Sequence, residues 1–348
     1  MPPPRPRAVS PSPASVRKSP RKSLGLAPVR LGVGDSWGEG PARQWKSTEG
    51  AAKNGHAVAA HEAAPPVLLT GPVLGGIVGA MLSVTTTLYL NHDREEKEWI
   101  TVNTTQRTGH WPAPTGDFNW CEPDYVYSPY LMELWNSLTS FGFVVGPLWL
   151  WGRTRDLEVR LNLLLVGAIG LGSAAFHGTL QYEAQLLDEL PMICYIMHTT
   201  ALLARKDVSC PVGLKLYMLA LCALLGSTSR ESLPHKAGRV VMVLGFSGCF
   251  VWLAYSLAAL STELDKRAGR GWLFTSLYQR ASLTVVLAIV AWITDNLACK
   301  ALHTLPFGLP YPHLHASVWH TGMAYVCYCL CRAVLGKQEQ YAARVATS

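Results

Sequence analysis

The chain has 348 residues, 49% of them hydrophobic and only 15% charged, with 30 Lys and Arg against 23 Asp and Glu for a formal net charge of +7. A charged fraction this far below the roughly 25% of soluble proteins, with apolar residues gathered in blocks of about twenty, argues against a soluble domain or a disordered chain and for an integral membrane protein. The basic residues lie in the N-terminal tail and between apolar runs rather than on one folded face, which argues against a nucleic-acid partner.

Residues 1–66 are rich in Pro, Ser, Ala and Gly, with basic pairs at Arg17-Lys18 and Arg21-Lys22. They read as a disordered cytosolic or cleaved extension, with an organelle transit peptide as the other reading of the Ser-rich, acid-poor start. Residues 67–90 form the first apolar block, a transmembrane or signal-anchor segment closed by the charged run Asp93-Arg94-Glu95-Glu96-Lys97-Glu98. Residues 91–116 read as a lumenal linker carrying the glycosylation sequon Asn103-Thr104-Thr105.

Apolar blocks then follow at about Tyr130–Trp151, Leu161–Leu180, Leu186–Leu203, Leu214–Ser227, Val240–Leu260, Ala281–Cys299 and Leu314–Leu335. The expected fold is all-α: a seven-transmembrane helix bundle over residues 117–336, with an additional N-terminal apolar span and a short tail at 337–348. Lys and Arg favour cytosolic loops. Arg153, Arg155 and Arg160, then Arg205 and Lys206, then Lys266, Arg267, Arg270 and Arg280, and finally Lys337 and Arg344 fall on one side; the opposite loops hold fewer. The bundle is therefore expected to begin on the lumenal side and end in the cytosol.

An ionisable group inside hydrocarbon is costly and is by default a functional candidate. The second block of the bundle ends Gly172-Ser173-Ala174-Ala175-Phe176-His177, placing Ser173 and His177 four apart on one helix face. The third opens Gln185-Leu186-Leu187-Asp188-Glu189, the sixth carries Asp295, and the last opens His313-Leu314-His315 and continues to His320. Under the derived topology all of these lie at the lumenal ends of their helices. Three imidazoles and a carboxylate at one depth suggest a metal site, since zinc takes three protein ligands and a water in catalytic centres.

These residues, with the run Asn119-Trp120-Cys121-Glu122-Pro123-Asp124-Tyr125 and with Glu133, Trp135 and Asn136, resemble the alkaline ceramidases. The shared stretches also include Ser173 to Leu180, Gln185 to Met192, Asp295 with Cys299, and His315 with Trp319-His320; the resemblance covers about residues 117–335. It implies a seven-helix intramembrane zinc amidase of the endoplasmic reticulum or Golgi. Such an enzyme cleaves the N-acyl bond of ceramide to a sphingoid base and a fatty acid, with its active site toward the lumen. By the resemblance, His177, His315 and His320 hold the zinc. Asp188 moves the proton from the attacking water to the leaving amine, and Ser173 donates to the tetrahedral oxyanion. The resemblance also implies a disulfide between Cys121 and Cys299.

The chain departs from the family pattern in two places. The last two zinc ligands usually stand four apart on a helix, whereas His315 and His320 stand five apart, which turns the second about 140° from the first on an ideal helix. Either His315 precedes the helix, or the helix carries a one-residue bulge, or His313 is the ligand instead. The second departure is Asn119, where an Asp is common in the calcium site that the family resemblance implies. Asn119, Glu122, Asp124 and Glu133 offer side-chain oxygens and Trp120 a backbone carbonyl, a hard shell of the kind calcium prefers. The other reading of this stretch is an acidic solvated loop.

Cys327, Cys329 and Cys331 alternate along one helix and so diverge by about 200° per step; they read as packing or acylation sites rather than a metal cluster. Two further functional classes share the topology: a seven-helix lipid receptor with structural zinc, which needs neither Ser173 nor Asp188, and a membrane hydrolase acting on lipid esters. A transporter would spread polar residues across the bilayer depth, which this chain does not do.

Overall fold

In a computed structural model of the chain, the described residues are Gly79, 108–117, 120–268 and 273–347. Most of the first apolar block, the sequon at Asn103 and the candidate calcium ligand Asn119 lie outside them. Among the described residues the regular structure is entirely helical. In order come α1 (Leu134–Ser140), α2 (Gly142–Trp151), α3 (Leu157–Thr179), α4 (Tyr182–Ala204), α5 (Val212–Ser227), α6 (Leu233–Ala268), α7 (Leu273–Leu297) and α8 (Cys299–His303). A 3₁₀ turn (Pro306–Gly308) and a π-helical segment (His315–His320) lead into α9 (Thr321–Thr347).

The periodicity of the sequence places these elements well, but three boundaries differ. The block expected as one helix over Tyr130–Trp151 is broken into α1 and α2 around Phe141. Its first residues form a loop because Glu122, distant in the chain, takes the free amides of Trp135 and Asn136 at 2.8 and 2.9 Å and so fixes where α1 begins. The block expected over Val240–Leu260 extends to the 36 residues of α6, about 54 Å at 1.5 Å per residue, well beyond a bilayer core. The residues read as a tail from Lys337 continue α9 as far as Thr347.

Local chemistry sets the ends of α3. Asp156 caps it by accepting from the Val159 amide at 3.0 Å, and Leu180, in the left-handed region at φ 48°, stops it. The chain reverses at once into α4, and the two helices pack along their lengths. Their approach is closest at Gly172, where an added Cβ would run into the Leu187 carbonyl, so the glycine brings the backbone of Asp188 beside Ser173. Lys337 on α9 is buried and donates to the carbonyls of Leu202, Leu203 and Arg205 at 3.0, 2.6 and 2.5 Å, tying α9 to the end of α4.

Leu157–Thr179, Tyr182–Ala204 and Phe274–Leu297 are long and apolar enough to cross a membrane. Large side chains face outward along several helices, including Leu148 and Trp149 on α2, Leu164 and Leu171 on α3, and Leu283 and Leu287 on α7. In water such a surface would be an aggregation hazard, while hydrocarbon solvates it. The helices are those of a membrane protein.

Candidate metal centre and active site

Two helices and the segment before a third bring the predicted ligands together. His177 sits in the last turn of α3, and His315 and His320 open and close the π-helical segment. One nitrogen from each of these three buried imidazoles lies within 4.8 Å of the others. The π-helix is what makes this possible: its i→i+5 bonding lays residues five apart on the same side, where an α-helix would turn them away from each other. Of the three alternatives for the His315–His320 spacing, the bulge is the one the chain adopts. His313, at φ 47°, packs against Tyr311 and Trp135 and does not join the three.

Each imidazole is held from behind. His177 Nδ1 lies 2.5 Å from Glu133 Oε2, and that fully buried carboxylate also accepts from Asn136 Nδ2 at 3.0 Å and from the Trp120 amide at 3.2 Å. An ionised Glu133 can only accept, which puts the His177 proton on Nδ1 and turns the Nε2 lone pair away from Glu133. Thr139 gives its single hydroxyl proton to the Trp135 carbonyl at 2.8 Å, so its oxygen accepts from His320 Nδ1 at 2.9 Å. That again leaves an Nε2 lone pair free. His315 is stacked on the Trp120 ring with centroids 3.9 Å apart, and its Nδ1 is buried without a hydrogen-bond partner. Three neutral, oriented imidazoles, one with an orphaned nitrogen, form a donor set that suits a transition-metal ion.

The imidazoles stand at the head of a cavity of about 310 Å³ between α2, α3, α4, α7 and α9. Ser173 and Asp188 line it on the same side as the histidines. The hydroxyls of Ser140 and Ser173 are hydrogen-bonded at 3.0 Å, and Ser140 also bonds the Asn136 carbonyl at 2.8 Å. Asp295 is buried in α7 and accepts from the Tyr311 hydroxyl at 2.5 Å, outside the three-histidine group. Beside Asp188, Glu189 accepts from Gln185 Nε2 at 2.7 Å and pairs with Arg239. Asp117 joins the same network through Arg230 and through Arg239 at 3.1 Å. Below this polar head the walls are apolar, with Ile169, Met192, Ile289 and Met323 among them.

The loop before α1 buries Glu122 and Asp124 as well as Glu133. Among the described residues no Lys or Arg pairs with any of these carboxylates, and Asp124 Oδ1 is buried with no partner. Burial first, and then the neighbouring Glu133, push Glu122 and Asp124 up to about 8. A pocket of buried carboxyls without a counter-cation fits a hard divalent cation. Both Glu122 oxygens also hold the start of α1, which gives that side chain a structural role not foreseen from the sequence.

The sulfurs of Cys121 and Cys299 are 2.10 Å apart, bonded, so the loop is fastened to the start of α8. His303 Nε2 adds a hydrogen bond to the Cys121 carbonyl at 2.9 Å. Cys327, Cys329 and Cys331 are buried in the bundle and belong to no metal-ligating group among the described residues.

Residues 112–344, well over half of the chain, match the family model described as Ceramidase. The protein belongs to the ceramidase family. It is 29% identical to alkaline ceramidase 3 of Mus musculus over 217 residues, covering 59% of this chain and 75% of that protein. An alkaline ceramidase of Arabidopsis thaliana is 25% identical over 227 residues, 63% of this chain and 82% of that protein. A shorter stretch of 89 residues is 40% identical to an alkaline ceramidase of Saccharomyces cerevisiae, covering 24% and 28% of the two chains.

Sequence reasoning did not reach Thr139, Ser140 or the Glu133–His177 contact. A signal for them was present: Glu133, Asn136, Ser137 and Ser140 recur at helical spacing and form a polar face in an otherwise apolar block, all four of them buried.

Proposed function

We propose that this ceramidase-family hydrolase is a zinc-dependent intramembrane amidase that cleaves the N-acyl bond of ceramides to a sphingoid base and a free fatty acid. The observation that carries the reading is the meeting of three oriented imidazoles with Ser173 and Asp188 at the head of an otherwise apolar cavity. His177, His315 and His320 would hold the metal; when bound, zinc supplies a Lewis acid and lowers the pKa of water.

The chain's own groups do the rest. The apolar walls take hydrocarbon and hold the amide at the polar head while excluding bulk water. Asp188, on the wall of that head, accepts the proton of the attacking water and returns it to the nitrogen as the C–N bond breaks, so the base leaves as an amine. Ser173, held beside Ser140, turns its hydroxyl proton to the carbonyl oxygen as negative charge develops there. Glu133 and Thr139 keep His177 and His320 in the tautomer that presents Nε2. Glu122, Asp124 and Glu133, with Asn119 and the Trp120 carbonyl, would hold calcium. Because Glu133 also touches His177, that ion would steady the loop behind the imidazoles.

In the bilayer, α1 with α2, then α3, α4, α5, α6, α7 and α9 serve as seven spans, preceded by the apolar block at 67–90. The loop basic residues put the histidines toward the lumen of the endoplasmic reticulum or Golgi and the C-terminus in the cytosol. The test is fatty-acid release from N-acyl sphingoid bases by purified protein in detergent, before and after stripping the metal. Release should stop on chelation and return with zinc; release that persists in metal-free protein overturns the mechanism.

A further inference from the structure

We propose that Leu330 sets the length of acyl chain the protein accepts, by forming the floor of the cavity. This rests on the ceramide reading of the site and goes beyond it in assigning chain-length selection to one residue. Away from the imidazoles the cavity follows α9 past Met323 and Val326 to Leu330, steps of three and four that keep one face of the helix turned inward. The walls end at a matching level on α4 at Ile196 and on α7 at Val285. From His320 to Leu330 the path is ten residues, about 15 Å of helix.

A second void, of only about 20 Å³, lies further along the same helices, between Leu203 of α4, Tyr278 and Ala281 of α7 and Ala333 of α9. Among the described residues Leu330 is the one that lines both spaces, and it is 7% exposed. Its side chain is the partition between them. Cutting it back to Cβ joins the small void to the large one and deepens the floor; enlarging it raises the floor.

Of the two hydrocarbon tails of a ceramide, the geometry points to the acyl chain. Its methylenes follow the carbonyl without interruption, matching walls that turn apolar immediately below the histidines. The sphingoid base carries hydroxyls next to the amide. These need polar partners, and the polar head supplies one in Glu189, which lines the cavity and pairs with Arg239.

The test uses the full-length protein and its variants Leu330→Ala, Leu330→Phe and Leu330→Met on two substrate series, one varying only acyl length and one varying only base length. The ratio of kcat/KM for long over short acyl chains should rise about tenfold in Leu330→Ala and fall about tenfold in Leu330→Phe, the effect of a methylene or more in an apolar pocket. Leu330→Met, which conserves volume, should stay near the parent. A core void that merely loosens the protein lowers all rates together and leaves the ratio alone. As a second readout, the fatty acids that co-purify with the protein should lengthen in the Ala variant and shorten in the Phe variant by mass spectrometry. An acyl ratio unchanged in both the Ala and Phe variants, or a shift confined to the base series, overturns the assignment of Leu330. Failure of the parent to release fatty acid from any N-acyl base overturns instead the ceramide reading.

Discussion

Asp188 and Glu189 are adjacent in the chain yet differently held. Glu189 is fixed by Gln185 and Arg239, while Asp188 faces the cavity beside Ser173. A carboxylate that faces an apolar cavity in this way is expensive unless it has work to do. We predict that Asp188→Asn lowers kcat by about 10²–10⁴, the range for removing a general acid–base group, with metal content by elemental analysis unchanged. Loss of the metal along with activity would make Asp188 a structural residue. The proposed roles of Asp188, Ser173 and the histidines were legible because polar residues inside apolar blocks have few innocuous readings. Thr139 and Ser140 were not legible as supports, because a hydroxyl in a helix usually bonds back to its own backbone, as both also do here.

The π-helical segment and Gly172 show how elements, rather than single side chains, set the geometry. Five-residue spacing with π bonding, and four-residue spacing with α bonding, should both bring the two imidazoles to one side. Deleting the exposed Ser317 should therefore allow an ordinary helix that still binds one metal per chain, whereas inserting an Ala after Ser317 should abolish binding; elemental analysis distinguishes them. Retained metal in the insertion variant would show that the register is not what aligns the ligands. At Gly172 a methyl group meets backbone, which cannot rotate away, so Gly172→Ala must push α3 and α4 apart next to Asp188. We expect at least a tenfold loss of kcat for it, a 1 Å misplacement of catalytic groups being worth more than that, and wild-type activity would disprove the close-approach argument. The count between His315 and His320 raised a bulge as one of three readings, and only the helix itself selects it. The late start of α1 was not legible, because its first amides are taken by Glu122 from outside the helix.

Across the whole molecule, hydrophobic blocks and loop charges outlined the helices, while long-range fastenings had to come from the structure or the family resemblance. The Cys121–Cys299 bond closes a loop spanning 178 positions of chain. Removing it should destabilise by about 2–5 kcal/mol. Cys299→Ser should lower the melting temperature in detergent by roughly 5–15 °C; an unchanged melting curve would mean that His303 and the surrounding packing hold the loop unaided.

The lysine at the far end of α9 has a mechanical consequence. Its ammonium is shared among three carbonyls where α4 runs out, and each contact would leave an unmet acceptor if the helices separated there. The two helices are thus riveted at the end remote from the imidazoles and are free to breathe only at the other, like a clothes-peg sprung at its tail. Amide exchange along α4 should accordingly slow from Tyr182 toward Leu202, and a lipid tail should enter head-end first; uniform exchange along the helix would contradict that grading.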